Sequence, residues 1–397
     1  MATAVQAATT TDQGLAGHAP SKIQELITPC LLLDEQKLDA NIKRMANYIG
    51  GLGCKLRPHV KTNKSIDVTQ RILAGGHTEG ICVSTLKEAE YFFERGITDI
   101  LYAVGIAPNK LDWAASLKKR GCALQIALDS VGMAQAVAEH GAQNGVTHDV
   151  LIELDTDGHR SGVAPEGDTL LAIGDALSAE GAHLLGVMTH AGESYNAPDE
   201  PSLRALAKQE RDRTVLAASR LREAGHACPV VSVGSTPTAL FVDDLNGVTE
   251  VRAGVYAFFD LVMAGIGVCT PDDVAVSVLA SIIGHQEDKG WAISDAGWMA
   301  MSRDRGTAQQ KVDQGYGIVT DLGGARKDDV IVRGANQEHG IISLREGQMA
   351  APTEVFPLGS LVRVLPNHAC STASQYDRYI VVCGEDIVAE WPRINGW

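Results

Sequence analysis

Short apolar runs alternate with amphipathic stretches through the first two thirds of the chain. Helical periodicity fills most of the gaps between the runs, as in residues 35–49, 85–96 and 204–225. This alternation predicts a parallel (β/α)8 barrel. A doubly wound open sheet is the alternative, although no GxGxxG motif follows the first strand. The predicted strands of the barrel are residues 54–61, 80–85, 99–105, 123–129, 149–156, 183–191, 229–236 and 248–254.

The pattern changes near residue 266, where helical periodicity fades and turns separate short strand-like runs. Such a pattern predicts a second, mostly β domain. We therefore expect a disordered arm over residues 1–24, a barrel over 35–265, and a β-rich domain over 266–397. A strand at 25–34 joins the last of these, because the chain starts there before it enters the barrel. The strand-like runs that predict the second domain are residues 274–286, 290–297, 340–344, 360–370 and 378–391.

Composition narrows the class of partner. The chain has 397 residues and a formal net charge of −15, which argues against nucleic-acid and anionic membrane surfaces. Eight cysteines without a CxxC pair fit buried thiols in a reducing compartment. The N-terminus lacks a basic, apolar leader and no stretch is long enough to span a membrane. These features predict a cytoplasmic protein that binds a small molecule.

Lys61 lies at the end of the first predicted barrel strand, in KLRPHVKTNK. The carboxyl ends of barrel strands present reactive groups, and a partly desolvated lysine there can form a Schiff base with a carbonyl. A solvated lysine in a basic turn is the other interpretation, since His59 and other cationic residues are close. Further polar residues follow other strands, among them Arg160 and His190, and their convergence on one face favours a functional site.

The segment VSVGSTPTA follows the seventh predicted strand and contains Gly234, Ser235 and Thr236. Glycine and small hydroxyl residues let backbone N–H groups approach an anion, and this position in a barrel is often a phosphate site. A tight turn that needs glycine is the alternative. A Schiff-base lysine and a phosphate cradle on one face together suggest pyridoxal phosphate.

His368 and Cys370 form an HxC motif after the apolar run at 360–366. In an extended segment these two side chains point to the same face. Imidazole and thiolate suit zinc or a similar divalent ion, and two protein ligands leave positions open for water and substrate. One HxC motif is weak evidence alone, and manganese, magnesium, cobalt and zinc all remain compatible.

The chain resembles the fold-type III pyridoxal-phosphate enzymes of the D-serine dehydratase and D-threonine aldolase group, which share an alanine-racemase-like barrel. The resemblance covers residue 27 to Trp397. It is carried by motifs that include LRPHVKTNKS, ELDTDGHRSGV, THAGESY, VVSVGSTPTA, TEVRAGVYAFFDLVM, DAGWMAMSRDRGTA and LPNHAC. Related sequences often carry histidine or serine at the position of Asn63, which puts the surroundings of the substrate in question.

The resemblance implies a role for each matching residue. Lys61 would be the Schiff-base lysine, and the phosphate would lie among Gly234, Ser235, Thr236, Gly254 and Tyr256. Arg160 and His190 would lie by the ring and the substrate, and His368 and Cys370 would hold the divalent metal. The resemblance also implies a homodimer in which each subunit helps to complete the other's site.

Two reactions fit these parts. In a dehydratase, Lys61 removes the Cα proton of a D-3-hydroxy amino acid, and the metal assists departure of the Cβ hydroxyl group. In an aldolase, His190 takes the hydroxyl proton and the Cα–Cβ bond breaks, giving glycine and an aldehyde. The HxC pair favours the dehydratase. The presence of the second domain argues against a protein that carries the cofactor without turnover. A racemase would need a second catalytic base at the place where this chain has His368 and Cys370.

A dicarboxylic substrate such as hydroxyaspartate would need a positive group for its distal carboxylate. Arg303 and Arg305, in MSRDRGT, are the candidates, and His59 is a further candidate for substrate contact. A solvated loop is an equally good interpretation of the two arginines.

Overall fold

Two β-sheets organise the protein, as a computed structural model shows for residues 20–397, the side chain at position 328 excepted. Eight parallel strands form one sheet, and nine mostly antiparallel strands form the other. The strands are β1 Cys30–Asp34, β2 Lys55–Pro58, β3 Ile81–Val83, β4 Asp99–Gly105, β5 Ala123–Leu128, β6 His148–Leu154, β7 Ala182–Thr189, β8 Val230–Val233, β9 Glu250–Ala253, β10 Val276–Gln286, β11 Trp291–Ser294, β12 Gly317–Thr320, β13 Arg326–Ala335, β14 Gly340–Leu344, β15 Leu361–Pro366, β16 Arg378–Cys383 and β17 Asp386–Pro392.

Helices cover the outside of the parallel sheet, and short helical turns cap the second sheet. Among residues 20–397, no helix combines the length and the apolar composition needed to cross a bilayer. The helices are α1 Glu35–Gly51, α2 Ile66–Ala74, α3 Leu86–Phe93, α4 Leu111–Lys119, α5 Val131–Asn144, α6 Asp168–Ala176, α7 Glu200–Glu223, α8 Thr236–Phe241, α9 Leu261–Gly265, α10 Trp298–Met301, α11 Pro352–Val355 and α12 Ala369–Ala373.

The parallel sheet is the predicted barrel, so the open doubly wound alternative is wrong. Its strand order is β2-β9-β8-β7-β6-β5-β4-β3. Single backbone bridges, Leu56 to Thr78 and His59 to Cys82, join the two end strands and bring the ring together. Both faces of the strands are buried, the outer face under the helices, which explains their nearly continuous apolar runs.

The second sheet closes on itself in six strands, β10-β11-β14-β13-β12-β15, because β10 pairs with both β11 and β15. Strand β1 pairs antiparallel with β10 and parallel with β16, so the chain contributes a strand here before it enters the parallel barrel. Strands β12 and β13 were not predicted. The single run predicted at 378–391 is a hairpin, because Gly384 turns the chain with a φ of +65°.

The predicted N-terminal arm is longer than the structure supports. Residues 1–19 lie outside the described residues, but Ile23 is fully buried and Lys22 pairs with Asp386 at the start of β17. Residues 20–24 therefore pack against the second sheet instead of forming part of an arm.

Candidate active site

A cavity of about 400 Å³ opens at the carboxyl ends of the barrel strands, between the barrel and the second sheet. Its walls bring together Lys61, Arg160, His190, His368 and Cys370, which lie far apart in the sequence. The barrel loops supply the first three, and the segment after β15, where α12 begins, supplies the last two. The carboxyl end of a barrel is the face where loops from several strands meet.

Lys61 lies in a turn three residues beyond β2, because the strand ends at Pro58 and not at residue 61 as predicted. Its neighbours Thr62 and Asn63 are fully buried. The Asn63 side-chain oxygen accepts bonds from the Ser65 amide at 2.9 Å and the Thr69 hydroxyl at 3.1 Å. The turn is thus anchored from below while the lysine stays exposed, instead of partly desolvated as expected.

Two histidines face the cavity as neutral rings. Burial, then the charges of Lys61 and Arg160, lowers the pKa of His190 to about 3. Its Nδ1 lies 3.1 Å from the carbonyl oxygen of Gly234, which can only accept, so Nδ1 carries the proton and Nε2 is free to accept one. Burial and the charge of Lys61 also lower the pKa of His59.

Gly234 is required by packing, because a Cβ there would lie 2.0 Å from the carbonyl oxygen of Arg252. Its φ is +138° and its amide donates to Glu210 at 2.8 Å. The amide of Gly234 is therefore not free to bind a phosphate, contrary to the simplest form of the prediction. Ser235 and Thr236 do line the cavity, and the Ser235 hydroxyl lies 2.9 Å from that of Ser194.

Gly254 and Tyr256 play different structural roles beside the cavity. A Cβ at Gly254 would meet the carbonyl oxygen of His59 at 2.7 Å, so only glycine lets this loop approach the lysine turn. Tyr256 is 1% exposed and its ring belongs to the core below. Its backbone amide donates to the Thr236 hydroxyl at 3.3 Å, so Tyr256 meets this cavity-lining residue through its backbone and not through its phenol.

Arg252 closes the floor of the cavity. Its Nη1 donates to the Ser232 hydroxyl at 2.6 Å, and that hydroxyl donates to Glu250 at 2.6 Å. Glu250 also pairs with Arg57 at 2.7 Å inside the barrel. The buried positive charges of the barrel are thus compensated within it, whereas no salt bridge to Arg160 occurs among residues 20–397.

His368 and Cys370 meet at the start of α12, not on one face of a strand, because β15 ends at Pro366. Burial favours a neutral ring at His368, but Cys370 and Asp304 outweigh it and raise its pKa. Burial would raise the pKa of the Cys370 thiol, but His368 lowers it overall. Imidazole and thiolate are donor groups that a soft divalent ion takes, once each has lost the proton on its donor atom.

Two further side chains orient the pair. Asp304 accepts a bond from Nδ1 of His368 at 2.6 Å, and Thr62 lies 3.2 Å from the sulfur of Cys370. In the part of the chain that the structure describes, no group of three or more histidine, cysteine or acidic side chains forms a complete metal cage. A metal here would keep positions open for water or substrate.

Arg303 and Arg305 lie outside the cavity lining. Arg305 pairs with Asp313 at 2.7 Å and covers the ring of Tyr316, and Arg303 stacks over Trp298. The structure therefore gives no support to a substrate contact for either arginine, and Asp304 between them is the residue that faces the cavity.

Sequence reasoning missed the residues that act through a neighbour. Asp304 stands between two conspicuous arginines, and Asp260 accepts a bond from the amide of Ala369 at 3.0 Å within the HxC motif. Glu210 projects from the middle of α7 and bonds two loop amides, at Ala191 and Gly234. The partners of these three carboxylates lie far away in the sequence. The only local signal was that Glu210 lies on an otherwise mostly apolar face of α7.

Two family models cover most of the chain. One, described as the N-terminal domain of alanine racemase, matches residues 33–262, and one described as a putative serine dehydratase domain matches residues 275–382. D-threo-3-hydroxyaspartate dehydratase from Delftia sp. (strain HT23) is 55% identical, over 94% of this chain and 98% of that protein. Its structure superposes with a TM-score of 0.94 at 54% identity, over 95% of this chain and 100% of that one.

More distant relatives also match over most of their length. D-serine dehydratase from Dictyostelium discoideum is 29% identical, over 91% of this chain and 94% of that protein. The structure of D-threonine aldolase from Filomicrobium marinum has a TM-score of 0.80 at 27% identity, over 94% of this chain and 97% of that one. A cysteine-to-alanine variant of a D-threo-3-hydroxyaspartate dehydratase has been solved in the metal-free form, with a TM-score of 0.93 at 53% identity. The chain belongs to the alanine-racemase-like lyases, the family of D-serine dehydratase and D-threo-3-hydroxyaspartate dehydratase.

Proposed function

We propose that the protein is a pyridoxal-phosphate- and metal-dependent lyase that dehydrates a D-3-hydroxy amino acid to a 2-keto acid and ammonia. The observation that carries the proposal is the shared cavity of Lys61 and the His368–Cys370 pair. The contact between Thr62, next to Lys61, and Cys370 joins the two centres at 3.2 Å. D-threo-3-hydroxyaspartate is the first substrate to test, because the Delftia relative that acts on it is 55% identical.

The residues present fit pyridoxal phosphate, which membership of the alanine-racemase-like family also supports. An exposed lysine amine faces the cavity and would hold the cofactor covalently. Ser235, Thr236 and the close loop at Gly254 would take its phosphate, and Arg160 would face its ring. Pyridoxal phosphate, when bound, supplies an electron sink for charge that develops at Cα.

His368 and Cys370 would hold a divalent metal ion, which would supply Lewis-acid polarisation of the substrate hydroxyl. Asp304 orients the His368 ring by accepting a hydrogen bond from its Nδ1–H group, so Nε2 is the nitrogen left for a metal. The imidazole–thiolate donor set favours zinc over magnesium, because thiolate is a soft ligand.

Each protein group then has one task. Lys61, once its amine is free, takes the Cα proton of the bound D-amino acid. Hydroxide leaves Cβ, and the resulting enamine takes up water to give the keto acid and ammonia.

Retro-aldol cleavage is the second candidate, and one observation favours it. His190 presents an unprotonated Nε2 to the cavity, as a base for the Cβ hydroxyl proton requires. The relationship to a D-threonine aldolase at 27% identity is consistent with that chemistry.

A product assay on the holoenzyme with zinc, manganese, cobalt or magnesium added separately tests the proposal. The substrates are D-threo-3-hydroxyaspartate, D-serine and D-threonine, with the L-isomers and a Lys61→Ala variant as controls. We expect keto acid and ammonia in equal amounts from the D-isomers and no turnover by the variant. Glycine and an aldehyde would replace the dehydratase with the aldolase, and full activity of Lys61→Ala would refute the site.

A homodimer, which the resemblance implies, and a cytoplasmic location, which the cysteine pattern favours, are further proposals. Sedimentation of the holoenzyme tests the first, and a single species with the mass of one chain would refute it. Fractionation of cells that express the protein tests the second.

A further inference from the structure

Arg393 is a buried cation that contacts several backbone segments. It is 7% exposed, and among residues 20–397 no carboxylate forms a salt bridge with it. A buried guanidinium without a carboxylate is costly unless other oxygens satisfy it. Here carbonyl, amide and phenol oxygens accept bonds from Nε and Nη1, whereas Nη2 has no hydrogen-bond partner among residues 20–397.

One set of contacts reaches the turn that carries Lys61. Nε of Arg393 lies 3.3 Å from the carbonyl oxygen of Asn63, and the Tyr379 hydroxyl donates to the same oxygen at 2.6 Å. The next residue along the tail, Ile394, donates its amide to the Lys64 carbonyl at 2.8 Å. The segment after β17 therefore contacts the lysine turn through two of the turn's backbone carbonyls.

The other contacts reach the end of α12, the helix that begins beside His368 and contains Cys370. Nη1 of Arg393 donates to the carbonyl oxygen of Ala373, the last residue of α12, and to that of Tyr376 at 2.9 Å. A cation at a helix C-terminus satisfies carbonyls that have no partner within the helix. The planar fork of arginine lets one side chain serve two segments, which a lysine cannot do.

We propose that Arg393 is a positioning residue that holds the Lys61 turn and the His368–Cys370 helix at a fixed separation. The inference rests on the proposed function, because it assigns the separation a catalytic purpose. Thr62 and Cys370 form a second link between the same two segments, on the cavity side. Misplacement of reacting groups by about 1 Å can cost on the order of a hundredfold in rate, so a small shift would be visible.

The test compares Arg393→Lys and Arg393→Met with the wild-type holoenzyme, whose dehydratase activity is established first. Rates are expressed per bound cofactor, read from its visible absorbance, so that loss of folded protein does not count as loss of catalysis. Arg378→Met is the matched control, because Arg378 lies on the hairpin that Arg393 directly follows, is exposed and pairs with Asp377. We expect kcat to fall about tenfold to a hundredfold in both Arg393 variants. KM should stay within about twofold of the wild-type value, because the substrate-facing groups are unchanged.

A double-variant cycle with Thr62→Val identifies the cause. If both links hold the same separation, the double variant loses more than the product of the single losses. Metal affinity, measured by calorimetric titration, should weaken in Arg393→Met and not in Arg378→Met. Wild-type kcat per bound cofactor in both Arg393 variants, or strictly additive losses, would overturn the assignment while leaving the dehydratase itself intact.

Discussion

The Oδ2 atom of Asp304 lies 2.6 Å from Nδ1 of His368, which places a carboxylate directly behind the ring proposed to bind a metal. A metal bound in place of the proton on the other ring nitrogen would leave the His368 ring uncharged. The hydrogen bond from Nδ1 to Asp304 would still set the orientation of the ring. The pKa of Asp304 is held below its usual range, first by the hydrogen bond with His368. The carboxylate is therefore ionised and ready to accept that bond at neutral pH.

We predict that Asp304→Asn weakens metal binding about tenfold to a hundredfold, since loss of a carboxylate behind a ligating histidine has an effect of that size. Titration of the apoprotein with zinc, followed by calorimetry, measures the effect. Asp288→Asn, at an exposed position, is the control. Unchanged affinity in Asp304→Asn would show that the carboxylate does not orient the ligand.

Cys370→Ala, or removal of metal by a chelator, is expected to abolish most turnover without releasing the cofactor. Cys370 contacts the metal side of the cavity, whereas the groups proposed for the phosphate and the ring lie on the barrel loops. The readouts are product formation and the visible absorbance of the bound cofactor. Cys383→Ala, at the end of β16, is the control and should keep both product formation and cofactor absorbance. Activity that resists both chelation and Cys370→Ala would remove the metal from the mechanism.

Glu210→Ala is expected to reduce both stability and activity. The carboxylate accepts the amides of Ala191 and Gly234, and burial raises its pKa. Its loss leaves two buried donors unpaired, which costs on the order of 3 kcal/mol in the free energy of unfolding. Activity falls because Gly234 in turn holds the ring of His190.

Denaturant unfolding and kcat measure these effects of Glu210→Ala. Glu210→Gln, which keeps an acceptor oxygen, should lie between the variant and the wild type. Glu223→Ala, at the exposed end of the same helix, serves as the control. Equal stability of Glu210→Ala and wild type would contradict the assigned bonds.

Acid should destabilise the fold through His148, at the start of β6 and far from the cavity. It is fully buried beside His140, and burial followed by the charge of His140 lowers its pKa to about 4. His148 therefore takes up a proton below about pH 6.5 in the unfolded chain, but only below about pH 4 in the native protein. Stability is retained above that window and is lost as the pH falls through it, by about 3 kcal/mol from this residue.

Thermal unfolding at a series of pH values between 4 and 7 tests the contribution of His148. His148→Gln should flatten the slope, although His59 and His190, whose pKa values are also lowered, keep part of it. His339→Gln, at an exposed position, should follow the wild type. An unchanged slope in His148→Gln would refute the prediction.

The sequence predicted what depends on local pattern. Barrel strands followed from their apolar runs, and Lys61, His368 and Cys370 stood out because few residue types can do their chemistry. Gly234 was predicted to allow a close approach, and the structure shows one such approach, to the carbonyl oxygen of Arg252 on the next strand. Asp304 and Arg393 could not be identified, because each acts on a partner that only the folded chain brings near.

The second sheet has a consequence for synthesis on the ribosome. Strand β1 emerges first but lies between β10 and β16, which are made late. The barrel strands can pair once β9 is available, whereas β1 must wait for β10 on one edge and for β16 on the other. Arg393 follows β17 and is made later still. We expect the barrel to close before its lysine turn gains the contact with Arg393.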